Sequence, residues 1–210
     1  PASNVIANLS APDVWTAVIS TDDRLIASGS FSGKIWLWNI ENFTKQGPPL
    51  IGHSDWVTCL ASMTHNRLAS GSKDGSLLIW DLVKKTMIAK LIEPKNVGIT
   101  SLAISTTGNQ MAVGFKDGSI SLWEADADSF RELDHGLVGH HGAVWAIGFS
   151  PCEQFIASGS DDEWLKIWNT TEGRCIRALS FDAGVSSLAW YNNKIAVGDR
   201  LGNLSVFTTS

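Results

Sequence analysis

The sequence predicts an all-β fold built from five repeated units, each a four-stranded antiparallel sheet. A tryptophan recurs at intervals of 42, 43 and 45 residues, and an aromatic residue holds the same place in a fifth, weaker copy, at Trp38, Trp80, Trp123, Trp168 and Phe207. A box of small residues precedes each of them, at 27–30, 69–72, 112–115, 157–160 and 196–199. No segment shows the apolar period of a helix. A fixed period of this length indicates a repeat architecture.

The fourth copy shows how one unit divides into strands. Four β-prone runs are separated by turn residues, and they cover 143–149, 155–158, 165–168 and 175–179. Short runs bounded in this way are typical of antiparallel strands. A single sheet of this size cannot bury its apolar faces, so neighbouring copies must stack and share a core.

Further markers recur in the same order along the chain. Gly52-His53 and Gly139-His140 open the second and fourth copies, and Trp80-Asp81 closes a third strand. With these markers the sequence resembles the WD40-repeat family over its whole length. The resemblance implies one WD40-type β-propeller domain at 1–210 with five four-stranded antiparallel blades. The repeats are expected at 11–49, 50–91, 92–136, 137–179 and 180–210.

The two ends of the sequence suggest how the propeller closes. Residues 4–10 resemble the fourth strands, and the chain stops after a third strand at 203–208. We therefore expect the N-terminal strand to complete the last blade and to pair an otherwise open edge. The alternative is an incomplete part of a larger ring, completed by another chain or by a missing segment. The sequence does not determine the oligomeric state.

Composition favours some partners over others. The formal net charge is −5, which disfavours a broad nucleic-acid surface, because such a surface normally has a basic footprint. Apolar runs are shorter than a membrane span requires, and the first ten residues lack the features of a signal peptide. We expect an intracellular protein, cytoplasmic or nuclear and not secreted, without contact with a membrane.

The cysteines and histidines do not form a metal-binding pattern. Three cysteines lie far apart at Cys59, Cys152 and Cys175, so neither a disulfide framework nor a zinc site is indicated. His135, His140 and His141 are close in sequence, but no carboxylate or cysteine set stands at ligand spacing beside them. The sequence predicts no cofactor and no metal.

Two sets of residues resemble a catalytic relay but have a structural interpretation. In WD40 proteins the matching positions form a buried hydrogen-bond network, which here implies His53, Ser70, Asp74, Trp80, His140, Ser158, Asp162 and Trp168. Buried polar groups need partners, and an indole N–H can only donate. The first and third repeats depart from the pattern at Ser10, Ser32, Lys95 and Val113. The fifth replaces the network with Phe181, Val197, Leu201 and Phe207.

The resemblance also implies a partner-binding surface at the narrow end of the propeller. Three positions per blade supply it: the residue before the first strand's leading Val or Ile, the residue after it, and the residue before the hairpin Asp. The predicted partner-binding residues are Asp13, Trp15, Phe31, Trp56, Thr58, Lys73, Lys116, Trp145, Asp161 and Arg200, with Gly98, Thr100, Ala143, Gly184 and Ser186 at the remaining positions. Aromatic groups among charges are typical of interaction hot spots. In the alternative interpretation, Trp15 and Trp145 only fill the central channel.

The function predicted from these features is a non-catalytic protein–protein interaction scaffold that binds a protein or peptide. A second hypothesis is a C-terminal sensor or substrate-receptor propeller of a larger multidomain protein. An enzyme on a propeller scaffold is the third and least favoured, because the mapped surface has only Asp13 and Asp161 as acids and no histidine.

Overall fold

The computed structural model describes residues 9–92, 97–126 and 129–209, and the regular structure within these ranges is entirely β. The strands form five antiparallel sheets that follow one another along the chain. The described residues include no helix that could cross a membrane. The all-β prediction is confirmed.

The first two sheets have four strands each. The first sheet contains β1 to β4, which are Val14–Ile19, Leu25–Ser30, Lys34–Asn39 and Leu50–Ile51. The second contains β5 to β8, which are Val57–Met63, Arg67–Ser72, Leu77–Asp81 and Thr86–Ile92. Strand β4 is short because Pro48 and Pro49 precede it, and proline has no N–H to donate to the ladder.

The remaining sheets repeat the same order. The third contains β9 to β12, which are Ile99–Ile104, Gln110–Phe115, Ile120–Ala125 and Phe130–Glu132. The fourth contains β13 to β16, which are Val144–Phe149, Phe155–Ser160, Trp164–Asn169 and Cys175–Ser180. The fifth has three strands, β17 to β19, which are Val185–Tyr191, Lys194–Asp199 and Leu204–Thr208.

The ends of the sheets lie close to the expected repeat boundaries. Strands β4, β8 and β16 end at residues 51, 92 and 180, one or two residues beyond the boundaries expected at 49, 91 and 179, and β12 ends at residue 132, before the boundary expected at 136. Most of the predicted closing strand, residues 4–8, lies outside the described residues, and Leu9 and Ser10 are in no strand. The closure of the last blade by this segment stays a prediction.

The repeated aromatic residues occupy equivalent positions. Each pairs with an apolar residue of the second strand of its sheet, as Ile26–Trp38, Leu68–Trp80, Met111–Trp123, Ile156–Trp168 and Ile195–Phe207. All four tryptophans are buried. The sequence period therefore corresponds to one structural unit per copy.

The core consists of apolar clusters between consecutive sheets. The cluster between the first and second sheets includes Ile35 and Leu78, and that between the fourth and fifth includes Leu165 and Ile195. Two similar clusters join the second sheet to the third and the third to the fourth. The first strands pack against one another in the order β1, β5, β9, β13, β17. Stacking thus buries the faces that a single sheet would leave exposed.

A β-bulge follows the first residue of every first strand. The pairing with the second strand skips Trp15, Thr58, Thr100, Trp145 and Ser186. A bulged residue is left out of the ladder, and its side chain is re-aimed. These are the positions that the sequence predicted to follow the leading Val or Ile on the binding surface.

Candidate functional site

One backbone hydrogen bond per sheet brings the predicted surface positions together. The residue before the hairpin Asp position donates its N–H to the carbonyl of the residue before the first strand, in the pairs Phe31–Asp13, Lys73–Trp56, Lys116–Gly98, Asp161–Ala143 and Arg200–Gly184. The bulged residue lies two positions along the same first strand. All three predicted positions of each sheet therefore lie at one end, here called the hairpin end.

Three aromatic rings form a cluster at the hairpin ends of the first and second sheets. The Phe31 and Trp56 ring centroids are 4.4 Å apart, and Trp15 lies 5.5 Å from Phe31 and 6.3 Å from Trp56. The rings are tilted by 39–44° and do not stack flat. They remain exposed by 52% for Trp15, 36% for Phe31 and 38% for Trp56. We call these three residues the aromatic cluster.

A lysine lies over one ring of the aromatic cluster. Lys73 Nζ is 4.5 Å from the centroid of Trp56, in cation–π geometry. Lys73 is exposed at the hairpin end, where its backbone N–H donates to the Trp56 carbonyl oxygen. The cluster therefore presents apolar area and one positive charge side by side.

A second group lies at the hairpin ends of the fourth and fifth sheets. Arg200 Nη2 is 2.7 Å from Asp161 Oδ1, and the guanidinium carbon is 5.5 Å from the Trp145 ring centroid. The Trp145 indole N–H is buried and has no hydrogen-bond acceptor among the described residues. Because Asp161 pairs with Arg200, the positive charge of this group is partly neutralised within the chain.

The threonines at the bulge positions hold the sheets together. Thr58 Oγ1 lies 2.7 Å from the Ile99 carbonyl oxygen and 3.0 Å from that of Gly71. Thr100 Oγ1 lies 2.6 Å from the Val144 carbonyl oxygen. Each threonine hydroxyl thus donates a hydrogen bond to the neighbouring sheet. The side chains of Asp13 and Lys116, in contrast, are exposed at the hairpin end.

The buried network of the fourth sheet forms one directed chain of hydrogen bonds. Trp168 Nε1 donates to Ser158 Oγ over 2.7 Å, and Ser158 Oγ lies 2.8 Å from His140 Nε2. His140 Nδ1 lies 2.8 Å from Asp162 Oδ2. Every donor has an acceptor if the neutral imidazole carries its proton on Nδ1. The sequence-predicted members are all brought together.

The second sheet inserts one more residue into the same chain. Trp80 donates to Ser70 over 2.8 Å, and Ser70 Oγ lies 2.7 Å from His53 Nε2. His53 Nδ1 then lies 2.8 Å from Ser76 Oγ, which donates to Asp74 over 2.6 Å. Asp74 itself is 3.6 Å from the imidazole. Sequence reasoning missed Ser76, because the fourth sheet has Trp164 at that position and gives no hint of a hydroxyl there.

Burial and hydrogen bonding set the pKa values in these networks. Burial opposes ionisation of Asp74, but the nearby His53 imidazole and hydrogen bonds from Ser76 and the Ser54 amide outweigh it and hold the pKa of the carboxyl well below its usual range. Asp162 has a lowered pKa for the same combination of reasons. Burial lowers the pKa of His140 despite the nearby Asp162 carboxylate.

The other sheets keep only parts of the network. Trp38 donates to Ser28 over 3.3 Å, and in the third sheet, where Val113 replaces the serine, Trp123 donates to Ser121 over 2.9 Å. Lys95 lies outside the described residues. In the fifth sheet Phe181 and Phe207 meet edge to face with centroids 5.8 Å apart.

The predicted apolar replacement in the fifth sheet is only partly right. Leu201 is 68% exposed and takes no part in it. Asp199 instead organises that hairpin by accepting hydrogen bonds from Leu201 and Asn203.

The histidines and cysteines lie in separate environments. Within the described residues no group of three or more His, Cys, Asp or Glu side chains could hold a metal ion. His135 bonds to the Thr170 carbonyl, and His140 belongs to the buried network. The three cysteines are free; burial raises the pKa of Cys59 to about 12.

The comparison with protein families identifies the repeat. The family model described as "WD domain, G-beta repeat" (WD40) matches residues 3–39, 45–81, 86–124 and 131–169. The chain belongs to the WD40 family. A WD40 chain of a crystal structure of the mitotic checkpoint complex superposes with a TM-score of 0.84 at 25% identity, covering 94% of this chain and 61% of that one. The β-propeller fold predicted from the repeats is thereby confirmed.

Several WD40 proteins are similar in sequence. Meiotic fizzy-related protein 1 of Schizosaccharomyces pombe is 36% identical over 79% of this chain and 39% of its own. Periodic tryptophan protein 2 homolog of Dictyostelium discoideum is 27% identical over 93% and 22%. WD repeat and HMG-box DNA-binding protein 1 of Xenopus laevis is 29% identical over 90% and 18%. The chain spans well under half the length of these relatives.

Proposed function

We propose that this WD40 propeller is a non-catalytic interaction module that binds a protein or peptide through the aromatic cluster and its flanking lysines. The observation that carries the proposal is the contact between Trp15, Phe31 and Trp56, three large rings from two sheets that remain partly exposed together. Single exposed aromatics are common, but a contacting group of them is unusual on a monomer surface.

The aromatic cluster has the composition of a binding hot spot. Tryptophan is enriched at such sites because a rigid ring supplies a large contact area at little entropic cost. The neighbouring Lys73 adds a cation, and Lys116 adds a second at the hairpin end of the next sheet. A partner segment with an apolar or aromatic side chain beside a carboxylate fits this arrangement.

The comparisons support an interaction role. One relative is called a meiotic fizzy-related protein, another a WD repeat and HMG-box DNA-binding protein, and one similar solved structure is that of a protein complex. On the same grounds we propose an intracellular location, cytoplasmic or nuclear. Those relatives are much longer than this chain. As a second candidate function, we therefore propose that the propeller is the receptor or sensor part of a larger protein.

A catalytic role has less support from the arrangement of side chains. His53 and His140 are the buried imidazoles, and each is committed to a serine and to the hydrogen bonds that lead to an aspartate. Such a network rigidifies a fold when every member is satisfied. The histidine, serine and tryptophan side chains of both networks are buried, and the aspartates lie in the hairpin turns, so these residues do not line an open cleft.

Affinity capture with matched variants tests the proposed function. Captured proteins are identified with the wild-type chain as bait, and the affinity of the identified partner is then measured. We expect Trp15→Ala combined with Trp56→Ala to weaken binding about 30-fold or more, since hot-spot truncations cost about 2 kcal/mol. Trp145→Ala reports separately on the second group.

The control is Trp164→Ala, because Trp164 is 40% exposed on strand β15, outside the aromatic cluster. It should bind as the wild type does. Equal affinity of the wild type and the double variant, with both folded by circular dichroism, would refute the proposed surface.

A further inference from the structure

Consecutive sheets are joined by a repeated contact between a glycine and a β-branched residue. The first residue of each first strand is here called the leading residue, and from the second sheet to the fifth it packs on a glycine in the second strand of the preceding sheet. A Cβ placed on Gly29 would lie 2.6 Å from Val57, on Gly71 2.5 Å from Ile99, and on Gly114 2.9 Å from Val144; Gly159 meets Val185 in the same way. All four leading residues are fully buried. Only glycine leaves room for them.

A hydroxyl beside the glycine completes the contact at two interfaces. Thr58, next to Gly71, donates to the carbonyl of the leading residue Ile99 over 2.7 Å. Thr100, next to Gly114, donates to the carbonyl of Val144 over 2.6 Å. Glycine and hydroxyl together form a seat for the leading residue of the next sheet.

The fifth sheet carries an unused seat. Gly198 is the equivalent glycine, and only Ser187 of its own sheet lies within 4 Å of a Cβ placed there. Ser186 stands at the hydroxyl position, and its oxygen lies 3.2 Å from the Gly198 carbonyl. In the part of the chain that the structure describes, no sheet packs on this face as β17 packs on β13.

The residues around the unused seat are exposed where their equivalents are buried. Leu204 pairs with Gly198, as Ile35, Leu77, Ile120 and Leu165 pair with the other glycines. Those four residues are at most 2% exposed, whereas Leu204 is 74% exposed. Val206, two residues along, is 60% exposed. The open face thus has the residues of a buried interface.

The first sheet carries the matching unused leading residue. Val14 is equivalent to Val57 and Val144, which are 0% exposed, yet Val14 is 45% exposed. Ile19, at the other end of the same strand, is 49% exposed. One chain therefore holds both halves of a contact that it makes four times internally.

We propose that the open face of the fifth sheet binds the first sheet of a second copy of this chain. Val14 of one copy packs on Gly198 of the other, and Ser186 donates to the Val14 carbonyl. Leu204 and Val206 cover the first sheet as their equivalents cover the following sheet inside the chain. Such a head-to-tail contact is heterologous, so copies associate in a ring or an open series.

Sedimentation of the purified chain tests the association. We expect a mass above that of the monomer that rises with concentration. Val14→Asp and Leu204→Asp should each weaken association at least tenfold, because each buries a charge in the contact. Val83→Asp is the matched control: Val83 is 71% exposed in the turn between β7 and β8 and should have no effect. A wild-type chain that stays monomeric at all concentrations overturns the proposal.

Disulfide trapping identifies the occupant of the seat. In a background with Cys152→Ser and Cys175→Ser, a Val14→Cys chain is mixed with a differently tagged Ser186→Cys chain. We expect a covalent dimer containing one chain of each kind. When both substitutions are placed in one chain, covalent oligomers support the proposal. A chain that instead forms an internal cross-link shows that its own first sheet fills the seat, and this result overturns the proposal.

Discussion

His140 lies against Asp162, with Nδ1 2.8 Å from Oδ2, and yet burial keeps the pKa of the imidazole below its ordinary value. The histidine is therefore neutral near pH 7 and donates one hydrogen bond to the carboxylate. Its other nitrogen accepts from Ser158, which in turn accepts from Trp168. This series of hydrogen bonds joins the segment before the first strand of the fourth sheet to the third strand of the same sheet.

The depressed pKa of His140 predicts that stability falls in mild acid. Unfolded histidine titrates near pH 6.5, so as the pH drops through this value the unfolded chain binds a proton that the folded chain does not. We expect the free energy of unfolding by urea to decrease between pH 7.5 and 5.5. His140→Gln should make this decrease smaller, whereas His141→Gln, an exposed neighbour, should leave it unchanged. An equal decrease in all three proteins would contradict the prediction.

Ser158→Ala should destabilise the chain strongly. The substitution removes both the acceptor of the Trp168 indole and the donor to His140, and each buried group left unpaired costs about 1–3 kcal/mol. We expect a loss of about 3 kcal/mol in the free energy of unfolding, measured by urea denaturation. Ser180→Ala, at an exposed position of β16, serves as the control and should change stability by less than about 0.5 kcal/mol. A loss as small as that of the control would show that the network contributes little.

Glu163→Gly should stabilise the fourth sheet. Glu163 has a φ of 70° in the hairpin between β14 and β15, where the other four hairpins have glycine at positions 33, 75, 118 and 202. A left-handed conformation costs a non-glycine residue about 1 kcal/mol. We expect a gain of up to about 1 kcal/mol in the free energy of unfolding. The conformational entropy that glycine loses on folding reduces this gain. Glu163→Ala keeps the Cβ and should give no gain; a gain from alanine would point to removal of the charge instead.

We expect the reactivity of Cys152 to depend on hydrogen bonds within the turn that contains it. Hydrogen bonds from Ser150 and from the Gln154 amide lower the pKa of the Cys152 thiol, whereas Cys59 is buried. Because the thiolate is the nucleophile, Ser150→Ala should slow alkylation of Cys152 by iodoacetamide, followed by peptide mass spectrometry. Cys175 is exposed and serves as the internal reference. An unchanged ratio of Cys152 to Cys175 labelling would rule out this effect of the Ser150 hydroxyl.

The sequence by itself determined the repeat and the strand order within each sheet, and it predicted all members of the buried networks except Ser76. These features depend on local spacing: Trp80 and Trp168 recur with the period of the sheets, and each lies ten residues after the serine to which it donates. The positions of Trp15 and Thr58, one residue after a leading valine, were also singled out in the sequence, but only the structure shows that they are bulged.

Only the tertiary structure decided which of those positions meet. Trp15 and Trp56 are far apart in sequence and come into contact because the first strands of neighbouring sheets pack together. The same packing turned the Thr58 hydroxyl toward a neighbouring sheet and left Leu204 exposed at the fifth. The repeat pattern specifies which residues each sheet has at equivalent positions. Whether a given face is covered depends on the neighbour that stacks on it, and no single repeat encodes that neighbour.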